Sequence, residues 1–294
     1  MKRHLSWVLG LVGLALAASS RPSTVISFAS QSFTGNLRSG PYVFVGSLQK
    51  PVEAQVSTLH IAALKAALSA PAGVPMPEAQ GRRHALFTGH VVVTRSHLTA
   101  LGPSLIYSER TGLGILAGPA TMVYRPVGPK ATPVHVEANQ MSFDVTTSIS
   151  VSSGNVRLQN GLESASSSRL LFDQHRQLAI LSGKAVQLKR LPRVPGHATL
   201  TLRGTEERVL TGKKLVLVQG HVQLVDGQTT TTGTVLYYDD HTHTAIVEGS
   251  PAVSYNAASQ TTIRGGTLEV RTDLNRVQQL AGTFPIPTKQ FLGQ

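Results

Sequence analysis

Residues 235–253, VLYYDDHTHTAIVEGSPAV, place two carboxylates and two imidazoles close together: Asp239, Asp240, His241 and His243. Carboxylate oxygens and imidazole nitrogens are common metal ligands, so this spacing could bind a metal ion. The same polar residues, lying between two apolar runs, could equally form a turn that joins two strands. The choice depends on whether the segment occurs once in the chain.

The segment recurs with different polar residues. RLLFDQHRQLAILSGKAVQL (169–188) has the same order of apolar strand, aromatic-Asp, polar patch, apolar strand and Gly, and MSFDVTTSISVSSGNVRL (141–158) keeps Phe-Asp and Gly without any His. A metal site needs its ligands, whereas a turn tolerates such changes. We therefore interpret 239–243 as a turn and predict no metal.

The remaining residues suggest no catalytic site. The chain has no cysteine, which excludes disulfides, a catalytic thiol and Cys-ligated zinc. It has no G-x-S-x-G or H-E-x-x-H motif, and its 15 carboxylates and 11 histidines are scattered along the chain. We predict a protein that is not an enzyme and has no cofactor.

Glycines inside apolar runs mark a regular repeat. Successive spacings between them are 29, 36, 29, 37, 29 and 33 residues, for Gly89, Gly118, Gly154, Gly183, Gly220, Gly249 and Gly282. The alternation predicts a tandem unit of about 65 residues built from two related halves. Apolar residues alternate around these glycines as in strands, and a Gly within a strand indicates a bulge or bend. The pattern predicts an all-β fold of antiparallel sheets folded over on themselves.

The two ends of the chain differ from the repeats. Residues 1–18 combine a basic start with an apolar run of 14 residues and small residues at its end, which is typical of a cleaved signal peptide; an uncleaved anchor is the alternative. We expect a divergent β segment with a Pro/Gly-rich linker over 22–82, the repeats over 83–284 and a C-terminal tail over 285–294. Residues 57–68 fit a helix or a degenerate strand unit, and we favour strands. The signal predicts a periplasmic protein.

The formal net charge of +12 favours anionic partners. The densest basic stretch runs from Lys184 to Lys214, with only Glu206 and Glu207 opposing it. This stretch could also be the solvated rim of a sheet. For an exported chain we expect no nucleic-acid partner.

The unit SGNVRLQNGLESASSSRLLFDQHRQLAILSGKAV (153–186) resembles the OstA-like repeat of the lipopolysaccharide-transport proteins. The matching elements are Gly154-x-Val156-x-Leu158, the strand from Ala165 to Asp173, and the return to Gly183; a second copy begins at Gly220. The resemblance spans roughly residues 85–282. It implies a folded-over antiparallel β-jellyroll, V-shaped in section, whose apolar groove holds the acyl chains of lipopolysaccharide. It also implies stacking end to end with other OstA-like envelope proteins or with further copies of the chain.

We therefore expect a non-catalytic periplasmic carrier or bridge for lipopolysaccharide or another anionic glycolipid in envelope assembly. The residues expected to line the lipid groove are Val156, Leu158, Leu170, Phe172, Val222, Leu224, Leu236 and Tyr238. Those expected to contact the anionic head group are Lys184, Lys189, Arg190, Lys213 and Lys214. Two alternatives stay open: the apolar pairs form a closed sandwich core, or the protein is a structural envelope module that polymerises or binds acidic polysaccharide. A β-helix enzyme is disfavoured because its coils repeat at shorter periods.

Overall fold

The structure is a computed structural model that describes residues 22–36, 38–128, 132–192, 198–282 and 284–292. The predicted signal peptide lies outside these residues. Within the described part, all strands join one antiparallel sheet, which confirms the predicted all-β fold class. The strands are β1 (Ser27–Ala29), β2 (Ser32–Thr34), β3 (Tyr42–Val45), β4 (Val52–Val56), β5 (Leu59–Ala63), β6 (Lys65–Ser69), β7 (His84–Arg95), β8 (Leu98–Ser108), β9 (Leu113–Tyr124), β10 (Val134–Asp144), β11 (Ile149–Asn160), β12 (Glu163–Asp173), β13 (Leu178–Arg190), β14 (Leu200–Leu210), β15 (Leu215–Asp226), β16 (Thr229–Asp239), β17 (Thr244–Asn256), β18 (Thr261–Arg271) and β19 (Arg276–Gln279).

From β7 onwards each strand pairs with the next, and each bends near its middle so that the sheet folds into two layers. Layer 1 is the set of half-strands that extends across the sheet from residues 91–95 of β7. Layer 2 is the set that extends across the sheet from residues 84–88 of β7. At β7 the N-terminal strands divide between the layers: β5, β4 and β1 extend layer 1, and β6, β3 and β2 extend layer 2. Residues 57–68 thus form strands, as the sequence analysis favoured.

The bends lie at the marker glycines. Register shifts interrupt the pairing beside Gly89, Gly118, Gly154, Gly183, Gly220 and Gly249, which confirms the predicted bulges. Gly89 has a φ of +79°, and a Cβ on Gly118 would lie 1.9 Å from the backbone oxygen of Asn139. Both positions therefore require glycine. Gly282 differs, because the short β19 ends before reaching it.

Alternate residues of each strand face the space between the layers and form a packed interior. One cluster of buried side chains runs from the N-terminal strands to β13, and a second runs from β14 to β18. On β15 Val216 and Val218 face inwards, whereas Leu215 and Leu217 face outwards. Both faces of β15 are apolar and buried.

Residues 284–292 lie across the outer face of layer 2. A 3₁₀ helix, Thr288–Phe291, buries the Phe291 ring completely against Leu178, Leu210, Leu215 and Leu217. Arg208 donates a hydrogen bond of 3.0 Å to the Phe291 carbonyl oxygen. Because this segment covers the outer face of layer 2, the strand sequence LAILSG (178–183) is apolar on both of its faces. A second 3₁₀ helix spans Met76–Ala79 in the predicted linker, and no helix in the described ranges is long and apolar enough to cross a membrane.

Candidate functional site: the interior between the layers and its mouth

The eight residues predicted to line a groove point into the space between the layers, and most of them are closely packed there. Seven are between 0 and 7% exposed, and Leu158 is half-buried. Val156, Leu170 and Phe172 belong to the first core cluster, whereas Val222, Leu224, Leu236 and Tyr238 belong to the second. In this conformation the layers are closed on each other, and contact of these side chains with a lipid stays a prediction.

The two layers meet at a lateral mouth on the side opposite the bends, where the hairpin turns lie. Tyr124 of layer 1 packs on Phe172 of layer 2 there, with ring centroids 5.0 Å apart. Leu158 on β11 is level with Met122, two residues nearer the bend than Tyr124, and is partly exposed.

Two arginines span the mouth from layer 1 to layer 2. Arg95 donates hydrogen bonds to the carbonyl oxygens of Asp144 and Ser148, at 2.9 and 3.0 Å. Arg190 forms an ion pair with Asp240 and donates a hydrogen bond of 2.9 Å to the Tyr238 hydroxyl. These contacts hold the strand ends of the two layers together.

Arg190 is surrounded by further oxygen atoms. Its Nε lies 3.3 Å from a carboxylate oxygen of Glu163, and its guanidinium carbon lies 5.2 Å from the Tyr238 ring centroid. Burial disfavours the charge, but Tyr238, Asp240 and Glu163 outweigh it and raise the pKa of Arg190. We call Arg190, Glu163, Tyr238 and Asp240 the Arg190 clamp.

The five cationic residues predicted to bind a head group separate into different places. Lys213 and Lys214 lie in the β14–β15 turn at the mouth, where the Lys214 carbonyl accepts a hydrogen bond from the Asp240 amide. Lys189 is at the end of β13 near the mouth but faces outwards, and Lys184 is at the bend on the far side. The structure brings Arg190, Lys213 and Lys214 to one region and leaves Lys184 away from it.

Residues 240–243 form the turn between β16 and β17, as predicted. The Asp239 carboxylate accepts a hydrogen bond of 2.9 Å from the His241 amide, and Asp240 reaches back to Arg190. No group of three or more His, Cys, Asp or Glu side chains with metal-binding geometry occurs in the part of the chain that the structure describes. The polar residues of this turn therefore shape the hairpin and contribute to the clamp.

Two buried carboxylates differ sharply in their surroundings. Glu109 accepts hydrogen bonds from the Ile26, Gly81 and Arg83 amides and from the Arg83 guanidinium. Burial works to raise the pKa of Glu109, but the hydrogen bonds from Arg83 and Ile26 hold it below its usual range. Glu109 thus fastens the N-terminal segment to layer 2.

Glu207 has no such partners. It faces the interior between Leu181 and Val218, its cross-strand neighbours, and neither carboxylate oxygen has a hydrogen-bond partner. Burial raises its pKa to about 8, so the carboxyl is protonated at neutral pH. The sequence pattern gives no sign of this inward position, because the bulge at Thr205 shifts the alternation of β14.

The outer face of layer 1 carries two neighbouring concavities that the sequence analysis did not foresee. One has a volume of about 370 Å³ and is lined by Arg157, Lys189 and polar side chains. The other has a volume of about 410 Å³ and is lined by Lys184, Arg203 and His221. Ser166 and Gln187 line both, so that the two form one trough across β10 to β15.

A scan against protein-family models and a search of curated proteins both find no match. Among solved structures the chain is similar to LptH of Pseudomonas aeruginosa, described as the LptA-homologous periplasmic component of the lipopolysaccharide transport device. The sequence identity is 17% and the TM-score 0.35, over 37% of this chain and 76% of LptH.

Proposed function

We propose that the protein is a non-catalytic periplasmic carrier or bridge for an anionic glycolipid of the lipopolysaccharide type. In this proposal the acyl chains insert between the two layers. The observation that supports it best is the inward apolar surface, which forms two buried clusters, one reaching β13 and one running from β14 to β18, with the buried Glu207 between them. The resemblance of the sequence to the OstA-like repeat agrees with this use of the interior.

The energetics of insertion are favourable if the layers separate at the mouth. Each buried methylene of an acyl chain contributes about 0.8 kcal/mol, so a chain of ordinary length compensates for lost contacts between the layers. The bends act as the hinge, because they are the only covalent links between the half-strands. In this proposal separation begins near Leu158, Tyr124 and Phe172, on the side of the mouth.

The head group in this proposal stays at the mouth. A phosphate there would lie near Arg190, Lys213 and Lys214, and arginine binds phosphate as it binds the carboxylates of the clamp. Lys184 and Lys189 lie outside this region, and their contact with a head group stays a prediction. An anionic head group could therefore displace Asp240 and Glu163 from Arg190 and open the clamp.

The end of the sheet formed by β18 suits a protein partner. β19 pairs only with Leu268–Arg271 of β18, and residues 261–265 have no further strand beside them among the described residues. A free strand edge can pair with a strand of another chain. At the opposite end β1 and β2 have only three residues each, and Phe28 stacks on Phe44 between the layers. We propose that a second copy or another OstA-like envelope protein pairs with β18.

Lipid binding can be tested on the purified chain. Organic extracts are examined by mass spectrometry, and binding of a fluorescent fatty acid is titrated. We expect co-purified acyl lipid, and we expect Leu158→Asp to weaken probe binding at least about tenfold, since a charge at the entrance opposes an apolar chain. Leu158 is half-buried, so this variant should fold.

The matched pair Phe172→Ala and Leu171→Ala separates the two faces of β12. Phe172 faces inwards and Leu171 outwards, so only the first should reduce binding of the fatty acid. Absence of lipid from the extracts together with equal probe binding by both variants would favour the closed sandwich core.

A further inference from the structure

We propose that the trough on the outer face of layer 1 is a binding site for an acidic polysaccharide chain. The site is separate from the interior, because its side chains point away from the space between the layers. A row of successive cross-strand partners on β10 to β14 shares this outer face: Glu137, Arg157, Ser166, Gln187 and Arg203. The proposal is independent of lipid binding.

The cations of the trough are held without being neutralised. Arg203 donates a hydrogen bond of 2.8 Å to the Gln223 side-chain oxygen. From the other side Gln187, with its amide oxygen turned towards Arg203, accepts hydrogen bonds of 2.8 and 3.1 Å. Two neutral amides thus hold the guanidinium and leave its charge for a ligand.

The other cations are also available. Arg157, Lys184 and Lys189 are exposed, and none forms an ion pair with a carboxylate of the described residues. Glu137 is the one acidic side chain that lines either concavity. The trough is therefore positively charged, and it attracts anions over a range set by the ionic strength.

The polar groups between the cations fit a sugar chain. Arg157 and Arg203 lie three strands apart, about 14 Å at a strand spacing of about 4.8 Å. Ser166 and Gln187 occupy the strands between them and offer a hydroxyl and an amide, which donate to and accept from sugar hydroxyls. A ladder of donors and acceptors with a cation at each end, of which Arg203 is held by two amides, matches a glycan that carries acidic groups at intervals.

The same residues make nucleic acid a poorer occupant. Proteins that bind single strands stack bases mainly on large aromatic side chains. No Phe, Tyr or Trp lines either concavity, and the ring side chains there are His135 and His221. Much of the lining is formed by polar side chains, such as Gln159, Ser164 and Gln187, which can form hydrogen bonds but offer no ring on which a base could stack. A glycan with carboxylate groups therefore fits the trough better.

The test compares two charge-matched double variants of the full chain. Arg157→Gln/Arg203→Gln removes two cations from the trough, and Lys50→Gln/Lys65→Gln removes two exposed cations in the N-terminal part of the sheet. Binding of a fluorescent oligogalacturonide of defined length is measured by anisotropy at low and at physiological salt. We expect the trough variant to bind at least about tenfold more weakly and the control variant to change less than about threefold, since charge-assisted hydrogen bonds are lost only in the first.

Three outcomes would overturn the proposal. Equal weakening in both double variants would indicate attraction by net charge alone. Equal or tighter binding of single-stranded DNA or of anionic phospholipid vesicles to the same trough residues would assign the site to another polyanion. No saturable binding of the oligogalacturonide to the unaltered protein would leave the trough without this function. Loss of fatty-acid binding does not bear on the result, because that probe tests the interior.

Discussion

Replacing Glu207 by Gln should stabilise the protein at neutral pH and remove part of its pH dependence. Glu207 is fully buried beside Leu181 and Val218, and burial raises its pKa from 4.5 to about 8. Between these two pH values the folded chain keeps a proton that the unfolded chain has lost. The free energy of unfolding therefore falls as the pH rises through this window and becomes level above about pH 8.

The magnitude follows from the same linkage. One pKa unit corresponds to about 1.4 kcal/mol, so by pH 7 the carboxyl of Glu207 lowers the free energy of unfolding by about 3 kcal/mol relative to acid pH. Glutamine has nearly the same volume and is neutral at every pH. Both the neutral acid and the amide lack a partner, so the two proteins should have similar stability near pH 4.5 and diverge above it.

Urea denaturation at several pH values between 4.5 and 8 measures this difference. Glu206→Gln is the control: Glu206 precedes Glu207, but it pairs with Arg208 at 2.6 Å and faces outwards. Carboxylates with a lowered pKa, such as Glu109 and Asp144, titrate below this window. If Glu207→Gln and the unaltered protein show parallel pH profiles, Glu207 is hydrated or paired in solution and our description of the interior between β13 and β15 is wrong.

Three further substitutions test separate parts of the fold. Arg190→Gln should lower the free energy of unfolding, measured by urea denaturation, by about 3 kcal/mol, because the buried Asp240 charge loses its ion pair with Arg190. The double variant Arg190→Met/Asp240→Leu should recover most of this loss, and equal instability of the two variants would contradict the clamp. Phe291→Ala should lower the free energy of unfolding by about 3–5 kcal/mol, because the Phe291 ring is 0% exposed. Leu292→Ala should change it little, because Leu292 is 49% exposed. Similar small effects of both variants would show that the tail is detached in solution. Gly118→Ala should lower the free energy of unfolding by more than about 2 kcal/mol or prevent folding, because its Cβ would overlap Asn139. Gly266→Ala, whose Cβ would have no atom within 4 Å, should leave the thermal melt nearly unchanged. The reverse order of stability would refute the bend geometry.

The strand architecture followed from the sequence because two local signals agree. Period-two alternation identified the strands, and a glycine inside each apolar run located the bend, as at Gly118 beside Asn139. The alternation of short and long steps also has a structural source. The long step from Gly118 to Gly154 includes the long connection between β9 and β10. The long step from Gly183 to Gly220 includes the long connection between β13 and β14.

The features that decide function were less accessible. A bulge shifts the alternation by one residue, so the inward position of Glu207 could not be distinguished from the outward position of Glu206. The Arg190 clamp joins residues that are 50 positions apart in the sequence, from Arg190 to Asp240, and a local pattern contains no sign of it. The trough depends on cross-strand register, which places Arg157 and Arg203 in one row although 46 residues separate them.

The most direct test of the proposed lipid carrier is to locate a bound acyl chain. A glycolipid with a photoreactive diazirine at the end of its acyl chain is incubated with the protein, irradiated, and the labelled residues are mapped by mass spectrometry. We predict labels on inward residues of neighbouring strands, such as Leu158, Leu170 and Phe172, and none on outward neighbours such as Leu171. Labels confined to exposed apolar residues of the outer face, such as Ile106 and Ile115, would show that the interior stays closed and would contradict the proposal.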